Sequence, residues 1–233
     1  MSAGLGRFHH IAVEGPIGAG KTSLASRFAA HLGAELLLER PTDNPFLDRF
    51  YADMAGYAFQ TQLFFLFQRQ KQLQAIAQPS MFAQTVVSDF MFAKDALFAR
   101  LTLSDGEYRL YAQMHAQVAS QVREPDLVVW MRAAPETLLG RVRRRGAAIE
   151  QGIELAYLRR LDDAYAEFFA TYQGAPVFAV DTETFHPAER EADFDLLLRR
   201  LEEFRGRRDA LDPGAELAGQ SLGTDITAVR SEQ

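Results

Sequence analysis

Apolar positions along the chain follow two periodicities. Five short runs read as buried strands: Phe8 to Glu14, Ala34 to Glu39, Thr85 to Asp89, Leu127 to Met131 and Val177 to Val180. Elsewhere the apolar residues recur every three to four positions, which predicts helices over 21–32, 46–54, 57–78, 92–102, 105–122, 135–146, 153–172 and 187–206. Strands separated by helices of this length need crossover connections, so the predicted fold class is α/β. Its sheet is parallel, about five-stranded and covered by helices on both faces. No repeat or low-complexity tract interrupts residues 8–206, so a single domain is predicted over 1–206. From 207, and most clearly from Asp212, the chain turns to Gly, Ser, Thr and Asp with scattered apolar residues, and 207–233 is predicted to be a mobile tail.

Composition narrows the function rather than the fold. With 233 residues, 48% of them hydrophobic and 24% charged, the chain can bury a sizeable core without staples. It contains no cysteine, which excludes disulfides, thiolate metal sites and cysteine nucleophiles and fits a reducing, cytoplasmic address. The longest apolar runs are too short to span a bilayer, and residues 1–10 hold no signal-like stretch. A formal net charge of −6 disfavours a nucleic-acid polymer as partner, because phosphate-backbone binding needs a basic face. Small anions need only a local positive site. Only Lys21, Lys71 and Lys94 are lysines among the 25 basic residues, so the positive charge is almost all arginine.

The strongest local signal is Gly15-Pro16-Ile17-Gly18-Ala19-Gly20-Lys21-Thr22, followed by Ser23. It satisfies every fixed position of GxxxxGK[ST] and lies between a predicted strand and a predicted helix, as a phosphate loop must. Glycines let successive N–H groups curl around an anion, and the helix that begins near Lys21 adds its positive end. Lys21 can then reach the outer phosphates of a nucleoside triphosphate such as ATP, while the Thr22 hydroxyl can hold Mg²⁺. A regulatory GTPase would also need an Asn-Lys-x-Asp guanine reader, which is absent. The chain's DxxG, Asp53 to Gly56, falls between helical stretches. A phosphotransferase needs an acceptor pocket with a carboxylate instead.

Candidates for that carboxylate are Glu39 and Asp89, each of which closes a predicted strand and so emerges at the same sheet edge as the phosphate loop. Either one can serve as base toward an acceptor hydroxyl, the other standing near Mg²⁺; either can also be an ordinary strand-end acid. Arg141, Arg143, Arg144 and Arg145 are the densest charge cluster and end at Gly146. They are able to clamp phosphate oxygens, or simply to solvate a helix C-terminus. Gln60, framed by Phe59, Leu63, Phe64 and Phe67, can present an amide to a nucleobase edge or be one member of a core stripe.

In their order along residues 8–181 these pieces resemble the deoxynucleoside kinase family, in particular its bacterial deoxyadenosine/deoxyguanosine kinase branch. The stretches that carry the resemblance are Glu14 to Thr22, Glu39 with Asp43-Asn44-Pro45-Phe46-Leu47, Phe50-Tyr51, Phe59-Gln60, Ser88-Asp89 with Ala93-Lys94-Asp95, and Arg145-Gly146 with Glu150-Gln151-Gly152-Ile153. The resemblance implies a P-loop kinase fold with an arginine-rich lid, in a protein that transfers the γ-phosphoryl of ATP to the 5′-hydroxyl of a deoxynucleoside, purine for preference. It also implies roles for single residues. Glu39 or Asp89 stands near the 5′-hydroxyl, Tyr51 and Glu150 hold the sugar 3′-hydroxyl, Gln60 and Asp95 face the base, and Arg141 and Arg145 form the lid. Homodimers are typical of the family. The chain departs from the family pattern at three places. Phe90 follows Asp89 where an arginine is common, so Phe90 stands at a substrate-contacting position and one cation there is missing or supplied elsewhere. Arg40 rather than proline follows Glu39, and Ala147 replaces an arginine after Gly146; Arg40 and Arg144 are the candidates to compensate. A pyrimidine deoxynucleoside kinase, a nucleoside monophosphate kinase and a catalytically weak nucleotide-binding regulator remain the alternatives.

Overall fold

Six strands, β1 (His10–Glu14), β2 (Glu35–Leu37), β3 (Val86–Ser88), β4 (Leu127–Arg132), β5 (Val177–Asp181) and β6 (Arg208–Leu211), pair in the order β2-β3-β1-β4-β5-β6 with every pair parallel. Ile11 lies opposite Val87 on one side and Leu127 on the other. The structure, a computed structural model, describes residues 4–76, 85–147, 150 and 152–211. Most of the predicted tail therefore lies outside the described residues.

The sheet has one strand more than the expected five. In Arg208-Asp209-Ala210-Leu211 only Leu211 is buried, so the apolar signal of this edge strand is too thin to read from sequence. The domain accordingly extends past 206, to at least Leu211, because the 208–211 segment completes the sheet instead of starting the tail.

Among the described residues eight α-helices connect the strands: α1 (Lys21–Leu32), α2 (Leu47–Ala52), α3 (Met54–Ile76), α4 (Lys94–Thr102), α5 (Asp105–Ala119), α6 (Pro135–Arg145), α7 (Leu155–Thr171) and α8 (Glu191–Glu203). Two apolar clusters hold them. One packs both faces of the sheet, with Ile11, Val13 and Phe28 beside Val129, Phe178 and Leu197. The other, around Phe50, Leu66, Phe90, Phe92 and Tyr111, joins α3, α4 and α5 into a separate lobe. Among the described residues no helix is long and apolar enough to cross a membrane.

Because β1 lies between β3 and β4, the chain leaves β1 toward one edge of the sheet and later returns to build the other. Such a reversal opens a crevice at the carboxyl ends of the strands. The loop after β1, Glu39 after β2 and Asp89 after β3 all arrive there.

Candidate active site

The loop between β1 and α1 carries its glycines where the backbone demands them. Gly18 has φ +86°, and a Cβ there would stand 2.7 Å from the Leu138 carbonyl oxygen; a Cβ on Gly15, at φ +152°, would collide with the Met131 carbonyl oxygen. Lys21 folds back over the loop and donates to the carbonyls of Gly15 at 2.8 Å and Pro16 at 3.1 Å. Burial, together with Lys94 nearby, lowers its pKa. Beneath the loop opens a cavity lined by Ile17, Gly18, Gly20, Lys21, Thr22 and Ser23 on one wall. Within the loop the Ala19 N–H donates to the Pro16 carbonyl at 3.2 Å.

Both acids reach this cavity, in different states. Asp89 is buried with its two oxygens engaged: Oδ2 accepts from the Thr22 hydroxyl at 2.5 Å and Oδ1 from the Glu39 N–H at 2.7 Å. Glu39 is held through its side chain. Oε1 accepts from Arg69 Nε at 2.8 Å and also pairs with Arg69 Nη2, while Oε2 accepts from Lys94 Nζ at 3.2 Å. Burial alone would push the Glu39 carboxyl up, but Arg69, Lys94 and Lys21 outweigh it and hold the pKa at about 2. Arg69 extends the network to Asp95, which is fully buried behind it.

At the far end the cavity is lined by Leu47, Phe50 and Phe65, with Gln62 and Arg69 beside them. Gln62 is 3% exposed; its Nε2 donates to the Thr102 hydroxyl at 3.3 Å and its Oε1 has no protein partner. Tyr51, Tyr157, Arg145 and Glu150 close the mouth. Arg145 grips Glu150 with Nε to Oε2 at 3.1 Å and Nη2 to Oε1 at 2.5 Å. Burial raises the Tyr51 phenol well above its ordinary pKa, and the neighbouring Tyr157 phenol and the Glu150 and Glu39 carboxylates add to the shift.

Four expected site residues are placed elsewhere. Gln60 lies on the outer face of α3, where its Nε2 donates to the Gly56 carbonyl at 3.1 Å and where it lines a surface groove with Leu63, Phe64 and Phe67. Two residues advance a helix by about 200°, so the amide that faces the cavity is Gln62. Phe90 is fully buried in the α3–α5 lobe and touches no part of the cavity. Asp95 belongs to the site only through Arg69, which stands between it and the cavity. Arg141 is tied to Thr182, donating to its hydroxyl at 2.9 Å and its carbonyl at 2.6 Å, and is likewise absent from the cavity wall. Nor do Arg40 and Arg144 compensate for missing cations, since both are exposed and outside the cavity. Arg69 and Lys94 are the cations that face Glu39, and sequence reasoning assigned a role to neither. For Arg69 and Gln62 a signal was present: Ala58, Gln62, Phe65, Leu66, Arg69 and Leu73 repeat at helical spacing and mark the inner face of α3.

The comparisons with known proteins agree with this geometry. The sequence profile described as deoxynucleoside kinase matches residues 11–204. The chain is 32% identical over 198 residues to a deoxyguanosine kinase of Bacillus subtilis (strain 168), a match that covers 83% of this chain and 96% of that one. It is 34% identical over 187 residues to a deoxyadenosine kinase of Dictyostelium discoideum, covering 78% and 76%. The structure of the deoxyadenosine kinase from M. mycoides with bound dATP superposes with a TM-score of 0.71 at 25% identity, over 82% of this chain and 98% of that one. With the phosphate loop, the paired acids and the acceptor cavity on one sheet edge, and with the profile spanning nearly all the described residues, the chain belongs to the deoxynucleoside kinase family.

Proposed function

We propose that the protein transfers the γ-phosphoryl group of ATP to the 5′-hydroxyl of a deoxynucleoside, with purine deoxynucleosides preferred. The single observation that carries this reading is Glu39, an ionised carboxylate at the junction between the phosphate loop and an apolar, amide-tipped cavity. A nucleoside fits that order of groups, with its base against Phe65 and Gln62, its sugar 3′-hydroxyl between Tyr51 and Glu150, and its 5′-hydroxyl at Glu39. The unpartnered Gln62 Oε1 and its donating Nε2 suit the mixed edge of a purine. Relatives described as deoxyguanosine and deoxyadenosine kinases support the purine preference.

The two acids divide the work. Asp89 holds the Thr22 hydroxyl and the Glu39 backbone, so its oxygens belong to the loop side of the site. A hydroxyl and a carboxylate 2.5 Å apart beside a phosphate loop are hard oxygen donors of the kind Mg²⁺ takes, with the remaining positions left to phosphate and water. Bound there, Mg²⁺ would neutralise charge on the phosphates. Glu39 accepts the proton of the 5′-hydroxyl as the O–P bond forms and the bond to ADP breaks. A carboxylate held at about 2 is a weak base, which suits a loose transition state in which the hydroxyl gives up its proton late. Lys21 and the loop N–H groups hold the donor phosphates, and Arg145 at the mouth screens the charge that develops.

The exposed apolar face of α3, with Phe67 46% exposed beside Leu63 and Phe64, supports a homodimer built on this face, and the absence of cysteine supports a cytoplasmic setting. An assay of ADP release with each deoxynucleoside in turn tests the function. Release stimulated by deoxyguanosine or deoxyadenosine is expected, whereas stimulation by monophosphates alone would make the protein a nucleoside monophosphate kinase.

A further inference from the structure

Glu14, the last residue of β1, has no part in the mechanism above, yet it is fully buried and satisfied from several sides. Oε1 accepts the Gly15 N–H at 2.8 Å and the Tyr165 hydroxyl at 2.8 Å, and Oε2 accepts the Met91 N–H at 3.0 Å. Lys94 Nζ stands 3.6 Å from Glu14 Oε2 and 3.2 Å from Glu39 Oε2, with only 3% of its side chain exposed. Ion pairs this deep are poor sources of stability, because hydrophobic residues of similar volume fill the space without the cost of desolvation. Their placement points to function.

The phosphate loop leaves β1 and Glu39 follows β2, and β3 separates these strands, so no ladder hydrogen bond ties donor side to acceptor side. Two bridges span the gap. Asp89 links Thr22 to the backbone of Glu39. The chain Gly15 N–H, Glu14, Lys94, Glu39 links the first peptide of the loop to the Glu39 side chain. Arg69 grips the opposite oxygen of Glu39 from the base end, where it is also paired with Asp95, and among the described residues Lys94 is the cation that hydrogen-bonds that carboxylate from the loop end. Lys94, four residues further along at the start of α4, supplies a cation that the buried Phe90 does not.

We propose that Glu14 and Lys94 are positioning residues for phosphoryl transfer: Glu14 holds the Lys94 ammonium, and Lys94 holds Oε2 of Glu39 at the separation from the phosphate loop that in-line attack requires. This rests on Glu39 facing the acceptor hydroxyl. The test is steady-state kinetics of Lys94→Met, Lys94→Arg, Glu14→Gln and the double variant Glu14→Gln/Lys94→Met, with calorimetric binding of the deoxynucleoside. Lys94→Met is expected to lower kcat about 10²-fold, the cost of misplacing a reacting group by about 1 Å. KM and nucleoside binding are expected to stay within about threefold, the pattern of a contact that matters only in the transition state. Lys94→Arg should recover about tenfold of that loss by restoring the cation. The double variant should be no slower than Lys94→Met within about threefold, because both residues act along one chain. Lys94→Met leaves Glu14 buried without its cation; the double variant removes both charges and keeps the test open if the single variant does not fold. A folded double variant with wild-type kcat, losses that multiply, or an effect confined to KM would overturn the proposal. Wild-type protein that phosphorylates no deoxynucleoside would overturn the proposed function itself, a result distinct from an active wild type with an equally active Lys94→Met.

Discussion

Glu39 and Asp89 are both strand-end acids, and sequence alone leaves the base role open between them. What separates them is their partners. Asp89 spends both oxygens on Thr22 and the Glu39 backbone, whereas the Glu39 carboxylate meets the side chains of Arg69 and Lys94, which line the cavity with it. Glu39→Gln should therefore lower kcat by at least about 10²-fold, the usual cost of removing a general base, and turnover close to wild type would exclude it from that role. A second residue governs acid stability. His10 is buried on β1 with its Nε2 2.8 Å from the Ser88 hydroxyl; burial outweighs the pull of Asp126 and lowers its pKa to about 4. The unfolded chain takes up this proton near pH 6.5 and the folded one only near 4, so stability falls as pH drops through that window, by about 3 kcal/mol in total. Glu39, whose folded pKa is depressed, loses its own stabilising share between about 4.5 and 2. Thermal melts between pH 7 and 4 should show the first loss in wild type and not in His10→Gln.

At the scale of elements, α3 shows where sequence reading reached its limit. Its existence was legible from periodicity, but aromatic residues occur on both of its faces, so the phase was not. Choosing the amide framed by Phe59, Leu63, Phe64 and Phe67 selected the outer face; the true inner face is recognisable by Ala58, Phe65, Leu66 and Leu73 closing on the second lobe. The two faces predict different phenotypes. Gln62→Ala should lower kcat/KM for purine deoxynucleosides by about 1–3 kcal/mol, the cost of an unmade contact to the base. In the proposed homodimer, Phe67→Glu places a charge on the apolar face of α3 and should halve the particle mass measured by light scattering. A variant Gln62→Ala with unchanged kcat/KM would move the base elsewhere. β6 escaped notice for the opposite reason: an edge strand with one buried side chain has no pattern to read.

For the whole molecule, strand–helix alternation and the phosphate loop were enough to predict a parallel sheet and the edge on which chemistry would gather. They bring Glu39, Asp89, Lys21 and Thr22 to one cavity because that cavity lies at strand ends, whose position follows from the fold. Arg69, Lys94 and Glu14 were not legible, since their importance lies in contacts between elements distant in sequence: Arg69 and Glu39 are 30 residues apart, and Lys94 and Glu39 are 55 apart. The tie between Arg141 and Thr182 was illegible for a related reason, because Thr182 follows the end of β5 and carries no marker in sequence. The most direct measurement is the product formed when the protein is incubated with ATP, Mg²⁺ and deoxyguanosine or deoxyadenosine. The account predicts the 5′-monophosphate in a one-to-one ratio with ADP, and formation of ADP without nucleotide product, or of neither, would contradict it.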